Sequence, residues 1–340
     1  MKTWASLKAI WRCTISNVAD TVHELVVPED VGRLDRWLSE VLEISRGRAV
    51  KLVDAGCVWV NGEHPSKASR RMRGGEAIKV IIPEPPDTRL VHQDIPVPIL
   101  YEDDHVIVVD KPAGLVVHPG KGHLDGTLAN ALLDRIDPHC GHPERPGIVH
   151  RLDMGTSGVM CVAKTQAGYD GLTKQFAAHT VDRRYLALCW GYAKEDKGTI
   201  DRPLARHPGD RKRFAVVEGG KRAVTHWSVV SRAKFKVPGG DGWVSWIQCR
   251  LETGRTHQVR VHLSSLGHPL IGDTMYHRPL YKPRTQVPKE IREAVKQVDH
   301  QLLHARMLGF AHPVTGERIE YQSDPPADYM AVLDSLGLSI

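Results

Sequence analysis

Apolar positions in the first part of the chain change from a helical spacing to a strand-like one. Apolar residues recur at intervals of three and four over residues 32–42, which predicts an amphipathic helix. A second helix is predicted over residues 45–56, since a serine can cap its start and a glycine can end it. Alternating valines before Asn61-Gly62 and an apolar run at residues 78–82 then indicate a hairpin and a last strand.

These elements predict a small α+β module over residues 31–82, with a loosely ordered extension over residues 1–30 before it. Five prolines make residues 83–98 a predicted linker. Residues 99–340 then form a second domain, in which strands and helices lack the regular alternation of a doubly wound fold. We expect an α+β fold with a mostly antiparallel mixed sheet and peripheral helices. Strands are predicted at 99–101, 106–109, 115–117, 183–190, 223–230, 244–251, 302–310 and 318–322, and helices at 128–136, 167–178, 255–267, 291–298 and 329–336.

Composition limits the function classes. The 340 residues carry 46 Lys and Arg against 40 Asp and Glu, and the net charge of +6 mildly favours a polyanionic partner. The six cysteines have no paired spacing, which is typical of reduced thiols in a cytoplasm. The histidines lack the spacing of common zinc sites, and no apolar run approaches the ~20 residues of a membrane span. We expect a cytoplasmic monomer without a metal or cofactor.

Asp153 is the first candidate for chemistry. It follows His150-Arg151-Leu152 between two apolar runs that we interpret as buried strands, and Thr156-Ser157 framed by glycines comes next. Loops that leave a rigid sheet can present a reactive group. An aspartate in this position is also a common turn former or helix cap, so this stretch alone leaves both interpretations open.

A second group of polar residues lies in an apolar setting more than one hundred residues further on. Arg255 and Arg260 are five apart on a predicted helix, or about 140° beyond a full turn, so they should serve different partners. Arg260 stands between Val259 and Val261, and a buried arginine needs a carboxylate to offset its desolvation. Asp153 is the obvious candidate. The segment 206–213 is basic and has no apolar period, which predicts a surface or phosphate-binding loop.

Taken together, these motifs resemble a known enzyme family. DKPAG at 110–114, HRLD at 150–153, RRYLAL at 183–188 and GRTHQVRVH at 254–262 are similar to the RluA-type pseudouridine synthases. RLDRWL at 33–38, SRGRA at 45–49 and VWVNG at 58–62 resemble the S4 RNA-binding domain. That module has a local excess of basic residues, and we assign RNA backbone contacts to Arg46, Arg48, Lys51, Arg70, Arg71 and Arg73.

The resemblance implies an isomerase that converts uridine to pseudouridine in large-subunit (23S) ribosomal RNA, free or in a pre-ribosomal particle. Other ribosomal or transfer RNA uridines are the alternative targets. It implies that Asp153 attacks C1′ of the uridine or the base, that Arg260 pairs with Asp153, and that Arg151 enters the space of the flipped base. Tyr185 would stack on that base and help to remove the proton at C5. Further substrate contacts are assigned to His150, Thr156, Arg255 and Lys111, the last two holding loops or contacting phosphate.

Two other classes of protein remain to be tested. A non-catalytic RNA-binding protein would explain the S4-like module but would not require Asp153 and an inward-facing Arg260. A glycoside hydrolase also attacks an anomeric carbon, but it normally needs two carboxylates. Glu252 would have to lie within about 6 Å of Asp153 to supply the second one.

Overall fold

The computed structural model of the protein describes residues 20–83, 90–120, 122–276 and 287–339. The chain divides into two compact units, Met1–Thr88 and Arg89–Ile340. Each unit has its own hydrophobic core. The α+β class predicted from the sequence is confirmed, since helices pack on mostly antiparallel sheets in both units.

The first unit is a three-stranded antiparallel sheet with two helices. Its core includes the fully buried Leu34, Leu38, Val58 and Val80. The Ser45 side chain accepts a hydrogen bond from the Arg48 N–H, as an N-cap does. The elements are β1 (Thr21–Val26), β2 (Val31–Arg33), α1 (Leu34–Val41), α2 (Arg46–Asp54), β3 (Val58–Val60), β4 (Arg71–Met72) and β5 (Ala77–Ile82), with sheet order β1-β5-β3.

The expected loose extension over residues 1–30 needs correction. Residues 21–26 form β1, which pairs with the whole of β5 from Thr21–Ile82 to Val26–Ala77. The backbone N–H and C=O groups that face β5 are therefore paired with a neighbouring strand, although the side chains of β1 are largely exposed and give little apolar signal. Residues 1–19 lie outside the described residues.

The second unit is built on one large sheet. Its strands are β6 (Ile99–Glu102), β7 (Val106–Lys111), β8 (Gly141–His142), β9 (Arg145–Pro146), β10 (Ser157–Ala163), β11 (Asp182–Trp190), β12 (Lys197–Asp201), β13 (Leu204–His207), β14 (Asp210–Val216), β15 (Val224–Val237), β16 (Gly240–Leu251), β17 (Leu303–Ala311) and β18 (Arg318–Gln322). Its helices are α3 (Leu128–Leu132), followed by a 3-10 turn (Leu133–Arg135), α4 (Gln166–Ala177), α5 (Gln258–Ser265), α6 (Lys289–Lys296) and α7 (Ala327–Ser335).

The large sheet has nine strands in the order β12-β15-β16-β11-β17-β10-β7-β6, with β18 beside β17. All pairings are antiparallel except that of β10 with β17. Alternate residues of β11 belong to different cores: Leu186 and Leu188 pack with α6 and α7, whereas Ala187 and Cys189 pack on the opposite face. Because both faces are covered, β11 reads as a continuous apolar run rather than an alternating one.

Three predicted elements of this unit differ in the structure. Residues 115–117 are not a strand, because the carbonyls of Val116 and Val117 accept hydrogen bonds from the first residues of α3. The predicted basic loop at 206–213 is the hairpin β13–β14, whose exposed faces leave no apolar alternation to detect. The apolar residues Ile148 and Val149 before Asp153 lie in a loop and not in a strand.

The predicted linker also needs correction at its second end. Leu90 and Val97 pack against the core of the second unit. Asn130 donates through Nδ2 to the Val91 carbonyl at 2.8 Å, and its own carbonyl accepts from Gln93 N–H at 3.1 Å. Residues 90–98 therefore belong to the second unit, and residues 84–89 lie outside the described residues.

Candidate active site

A pocket of about 480 Å³ opens beside the middle of the large sheet. Four segments of the second unit form most of it: the loop at 149–153, the end of α4, the start of β11 with Arg183 and Tyr185, and residues 254–260 at the start of α5. The sequence places these segments far apart, and the sheet order brings them together. Asp153 lies in the pocket with 15% of its side chain exposed.

The loop that carries Asp153 is held from its own backbone and from the sheet. The Thr156 N–H donates to the Asp153 carbonyl at 3.0 Å, so the chain turns directly after Asp153. Gly158 has a φ of 113° and lies against Ala305 of β17, where a Cβ atom would clash with the Ala305 carbonyl oxygen. A glycine is required here because β10 and β17 approach so closely.

Lys111 is not among the residues that line the pocket, and of its two predicted roles its contacts fit the one that holds loops. Its side chain is fully buried at the end of β7. Nζ donates to the carbonyls of Pro112, Leu115 and Met154 at 2.8, 2.8 and 3.2 Å. Burial lowers the pKa of Lys111 to about 7, although the charges of Asp153 and Asp110 act in the opposite direction. Lys111 therefore ties the 112–115 turn to the residue that follows Asp153.

The expected contact between Arg260 and Asp153 is present. Arg260 donates through Nη1 to Asp153 Oδ2 at 3.0 Å, and the arginine side chain is 8% exposed. A second carboxylate holds the other side of the guanidinium: Nε and Nη2 donate to the two oxygens of Asp273 at 2.7 and 3.1 Å. Burial alone would lower the pKa of Arg260, but the hydrogen bond with Asp273 and the charges of both carboxylates raise it. Arg260 is thus a fixed cation between two acids.

Asp273 is the residue that the sequence interpretation missed. It is fully buried, and its Oδ1 also accepts the N–H groups of Met275 and Tyr276 at 2.9 and 3.0 Å. Burial opposes ionisation, yet the hydrogen bonds and charge of Arg260 hold the pKa of Asp273 below its ordinary value. A guanidinium has five N–H donors, and one carboxylate cannot satisfy a buried one. The number of N–H donors on Arg260 therefore predicts a second carboxylate partner, and Asp273, which follows the apolar Leu270-Ile271, is a candidate that the sequence contains.

The helix α5 begins three residues later than predicted, because the turn before it is closed by side chains. Gln258 accepts through Oε1 from the Arg255 N–H and the Thr253 hydroxyl, and His257 adopts a left-handed conformation with φ 58°. Arg255 is therefore an exposed loop residue that lines the pocket and donates through Nε to the Arg222 carbonyl. Arg255 and Arg260 do serve different partners, but the predicted reason does not apply, because Arg255 precedes the helix.

The remaining predicted site residues also lie at the pocket, in different surroundings. Arg151 is exposed and makes no ion pair within the described ranges. His150 accepts the Cys161 N–H through Nε2 at 3.1 Å and stacks on Phe176, and burial lowers its pKa to about 3. Thr156 is buried and accepts a hydrogen bond from Gln301.

Tyr185 is 8% exposed and lines the pocket beside Arg183. Burial raises the pKa of its phenol; the charge of Arg183 opposes that shift and the charge of Asp153 adds to it. The hydroxyl is therefore protonated near neutral pH. The ring lines the pocket, and Arg183, which lies over the Phe176 ring, adds positive charge to the same pocket.

The six basic residues predicted in the first unit divide into two sets. Arg46 pairs with Asp35 and Arg70 pairs with Glu76. Arg48, Lys51, Arg71 and Arg73 are exposed and have no ion pair among the residues that the structure covers. The second set is free to contact a polyanion.

Comparison with known proteins decides the family. The RNA pseudouridylate synthase family model matches residues 105–265, and the S4 domain model matches residues 32–78. The chain is 42% identical to the ribosomal large subunit pseudouridine synthase D of Xanthomonas campestris, and the match covers 93% of each chain. The chain belongs to the RNA pseudouridine synthase family. An uncharacterized RNA pseudouridine synthase of Synechocystis is also 42% identical, with 93% of this chain and 94% of the other covered.

A solved structure agrees with this assignment of the synthase. Human RNA pseudouridylate synthase domain containing 1 is 27% identical and superimposes with a TM-score of 0.50, covering 72% of this chain and 87% of that chain. In the described part of the synthase, no helix is long and apolar enough to cross a membrane. The same residues contain no cluster of three His, Cys, Asp or Glu side chains that could hold a metal ion.

Proposed function

We propose that this synthase isomerises uridines of large-subunit ribosomal RNA, and that Asp153 is its nucleophile. The observation that carries the proposal is the Arg260–Asp153 ion pair at 3.0 Å, inside a pocket large enough for a nucleoside. Arg260 holds Oδ2, whereas Oδ1 of the same carboxylate lies 4.0 Å from Nε2 of His257, another residue that lines the pocket. The names of several relatives similar over most of the chain, ribosomal large subunit pseudouridine synthase D, support the choice of RNA.

The reaction exchanges one glycosidic bond for another. Asp153 attacks C1′ or the base, the N1–C1′ bond breaks, and the base rotates before C5 bonds to C1′. The proton on C5 leaves, N1 gains a proton, and Asp153 is released. Because product and substrate are isomers, the atoms and electrons balance with a single carboxylate nucleophile and one proton transfer.

The pocket must receive a uridine that has left its stack. Unstacking a base costs a few kcal/mol, which contacts to the flipped nucleotide have to offset. In this proposal the exposed Arg151 enters the space that the base vacates, and the ring of Tyr185 stacks on the base; both residues line the pocket. Arg255 at the pocket rim is suited to the flanking phosphates.

The S4 unit is proposed to dock structured RNA through its backbone. The four basic side chains without ion pairs, Arg48, Lys51, Arg71 and Arg73, can neutralise phosphates without reading sequence. Arg46 and Arg70 contribute less, because their charges are already compensated by Asp35 and Glu76.

The glycoside hydrolase alternative is not supported by the carboxylates near the pocket. Glu252 binds Arg222 and His226, at 3.1 and 2.7 Å, instead of facing Asp153. Asp273 is the nearer acid, but it is fully buried and its oxygens are occupied by Arg260 and two backbone N–H groups. Neither can protonate a leaving group or activate a water beside Asp153.

The test is Asp153→Asn, which preserves shape and removes the nucleophilic charge. We expect no detectable pseudouridine in large-subunit RNA by mass spectrometry, with RNA affinity retained. Isomerase activity in this variant would refute the nucleophile assignment. If the wild-type protein binds RNA but forms no pseudouridine, the non-catalytic alternative holds. Mapping pseudouridines in ribosomal RNA from cells with and without the gene then identifies the target uridines.

A further inference from the structure

His257 occupies a strained position in the pocket. It precedes α5 with φ 58° and ψ 20°, in the left-handed region that only a few per cent of non-glycine residues adopt. Strained backbone of this kind is found at functional sites, where the surrounding structure holds it. The side chain is 15% exposed and lines the pocket. Its position is therefore imposed by the fold and directed at the site.

One edge of the His257 ring is anchored and the other is open. Nδ1 is hydrogen-bonded to the Tyr276 hydroxyl at 2.7 Å, and that hydroxyl also accepts the Phe214 N–H at 2.8 Å. The rings of Phe214 and Tyr276 contact the imidazole edge-on, with centroids 5.8 and 5.5 Å away. Nε2 lies 4.0 Å from Asp153 Oδ1, the oxygen that Arg260 does not hold. The open nitrogen therefore faces the place where the proposed reaction occurs.

The last step of that reaction needs a group that accepts and then releases one proton. After C5 has bonded to C1′, the C5–H bond pair must form the C5=C6 double bond while the N1=C6 pair moves to N1. A base takes the proton from C5 and N1 takes one up. A neutral imidazole with a free nitrogen can do both, and general bases of this kind contribute about 10²–10⁴-fold in rate.

The charges around His257 favour its neutral form. Burial lowers its pKa; the carboxylates of Asp153 and Asp273 oppose this shift, and the guanidiniums of Arg260 and Arg151 add to it. Near neutral pH the ring therefore keeps one lone pair, and that lone pair is on Nε2 when Nδ1–H donates to the Tyr276 hydroxyl. Tyr185, the other candidate, has its pKa raised by burial, so its protonated hydroxyl has little basicity.

We propose that His257 is the general base that removes the proton from C5 and returns it toward N1. Tyr185 then only stacks on the flipped uracil ring. This inference rests on the proposed function, since it assigns a step of the same reaction. It makes Tyr276 a positioning residue, because its hydroxyl fixes the imidazole and leaves Nε2 free for the substrate.

The decisive experiment uses His257→Gly with added imidazoles. Glycine accepts the left-handed conformation without strain, so the variant should fold and bind RNA as the wild type does. We expect the single-turnover rate of pseudouridine formation to fall about 100-fold or more. Imidazole should restore part of it, and substituted imidazoles should restore more when they are more basic. Rescue that is independent of basicity, or a rate near that of the wild type, would overturn the proposal.

A second measurement separates His257 from Tyr185. The second variant is His257→Asn, because asparagine also tolerates the left-handed conformation. Its rate of pseudouridine formation should show a primary isotope effect on RNA containing 5-deuterouridine, because cleavage of the C5–H bond becomes the slowest step. Tyr185→Phe should show neither this effect nor imidazole rescue. The reverse pattern would assign the proton to Tyr185. If His257→Gly is as fast as the wild type while Asp153→Asn is inactive, the proton assignment fails and the proposed function stands; a wild type that forms no pseudouridine overturns both.

Discussion

Asp273 should be as important for stability as for activity. Replacing it with alanine leaves the guanidinium of Arg260 buried with one of its two carboxylates, and leaves the Met275 and Tyr276 N–H groups without their acceptor. Breaking a buried ion pair by removing one partner costs about 3–5 kcal/mol. In a unit of this size that corresponds to a fall of roughly 6–20 °C in the unfolding temperature. The variant should therefore be close to the stability limit of the fold.

Asp273→Asn is the sharper form of this experiment, since it keeps the shape and one acceptor. Thermal unfolding and single-turnover rates should both fall, with the rate falling more than the RNA affinity. Because the pKa of Asp273 is lowered in the folded protein, its contribution is present above the ordinary aspartate value near 3.9 and is lost as the pH falls below it. The gap between wild type and variant should thus close in acid. Asp241→Asn, at an exposed ion pair with Lys234 and Lys236, is the control and should change little. Wild-type stability and rate in Asp273→Asn would refute the reasoning.

Three further outcomes can be measured on the same preparation. Gly158→Ala should lower stability by about 1–3 kcal/mol, read from chemical denaturation, because φ is positive and the new Cβ meets the Ala305 carbonyl; an unchanged midpoint would contradict this. Burial lowers the pKa of His304 to about 4, so the folded protein resists protonation of this residue. The free energy of unfolding should therefore fall as the pH falls from about 6.5 to about 4, at up to about 1.4 kcal/mol per pH unit. His304→Gln should flatten this dependence. Arg71→Ser should weaken RNA binding and reduce the salt slope by about one, whereas Lys236→Ser in the second unit should leave that slope unchanged.

The local elements were predictable where packing is regular. The spacing over residues 32–42 and the apolar run of β11 both correspond to buried faces, so their patterns carry the information directly. The patterns failed where backbone groups are satisfied outside a helix or an apolar strand. Residues 115–117 are apolar like a strand, but their carbonyls bind the start of α3 and Lys111, so their composition was misleading. Strand β1 lies at an edge with exposed side chains, so its composition gives little signal.

The site was predictable in part for a similar reason. The position of Arg260 between two valines predicted a buried guanidinium, which needs a carboxylate partner, and the motifs indicated Asp153 as that partner. Asp273 and His257 were passed over because their importance depends on contacts and conformation. The left-handed backbone of His257 and its bond to Tyr276 join residues nineteen apart through a turn that no periodicity describes.

The two carboxylates on Arg260 also bear on the proposed role of Asp153 as the nucleophile. A guanidinium and a carboxylate prefer two parallel hydrogen bonds, and that geometry would engage both oxygens of Asp153. Asp273 takes Nε and Nη2, so only Nη1 remains for Asp153, and it binds only Oδ2. Oδ1 is left with His257 at 4.0 Å as its neighbour and keeps its lone pairs for the substrate. Removing the charge of Asp273 would let Arg260 rotate into the two-bonded geometry. The nucleophile would then be held more tightly and react more slowly.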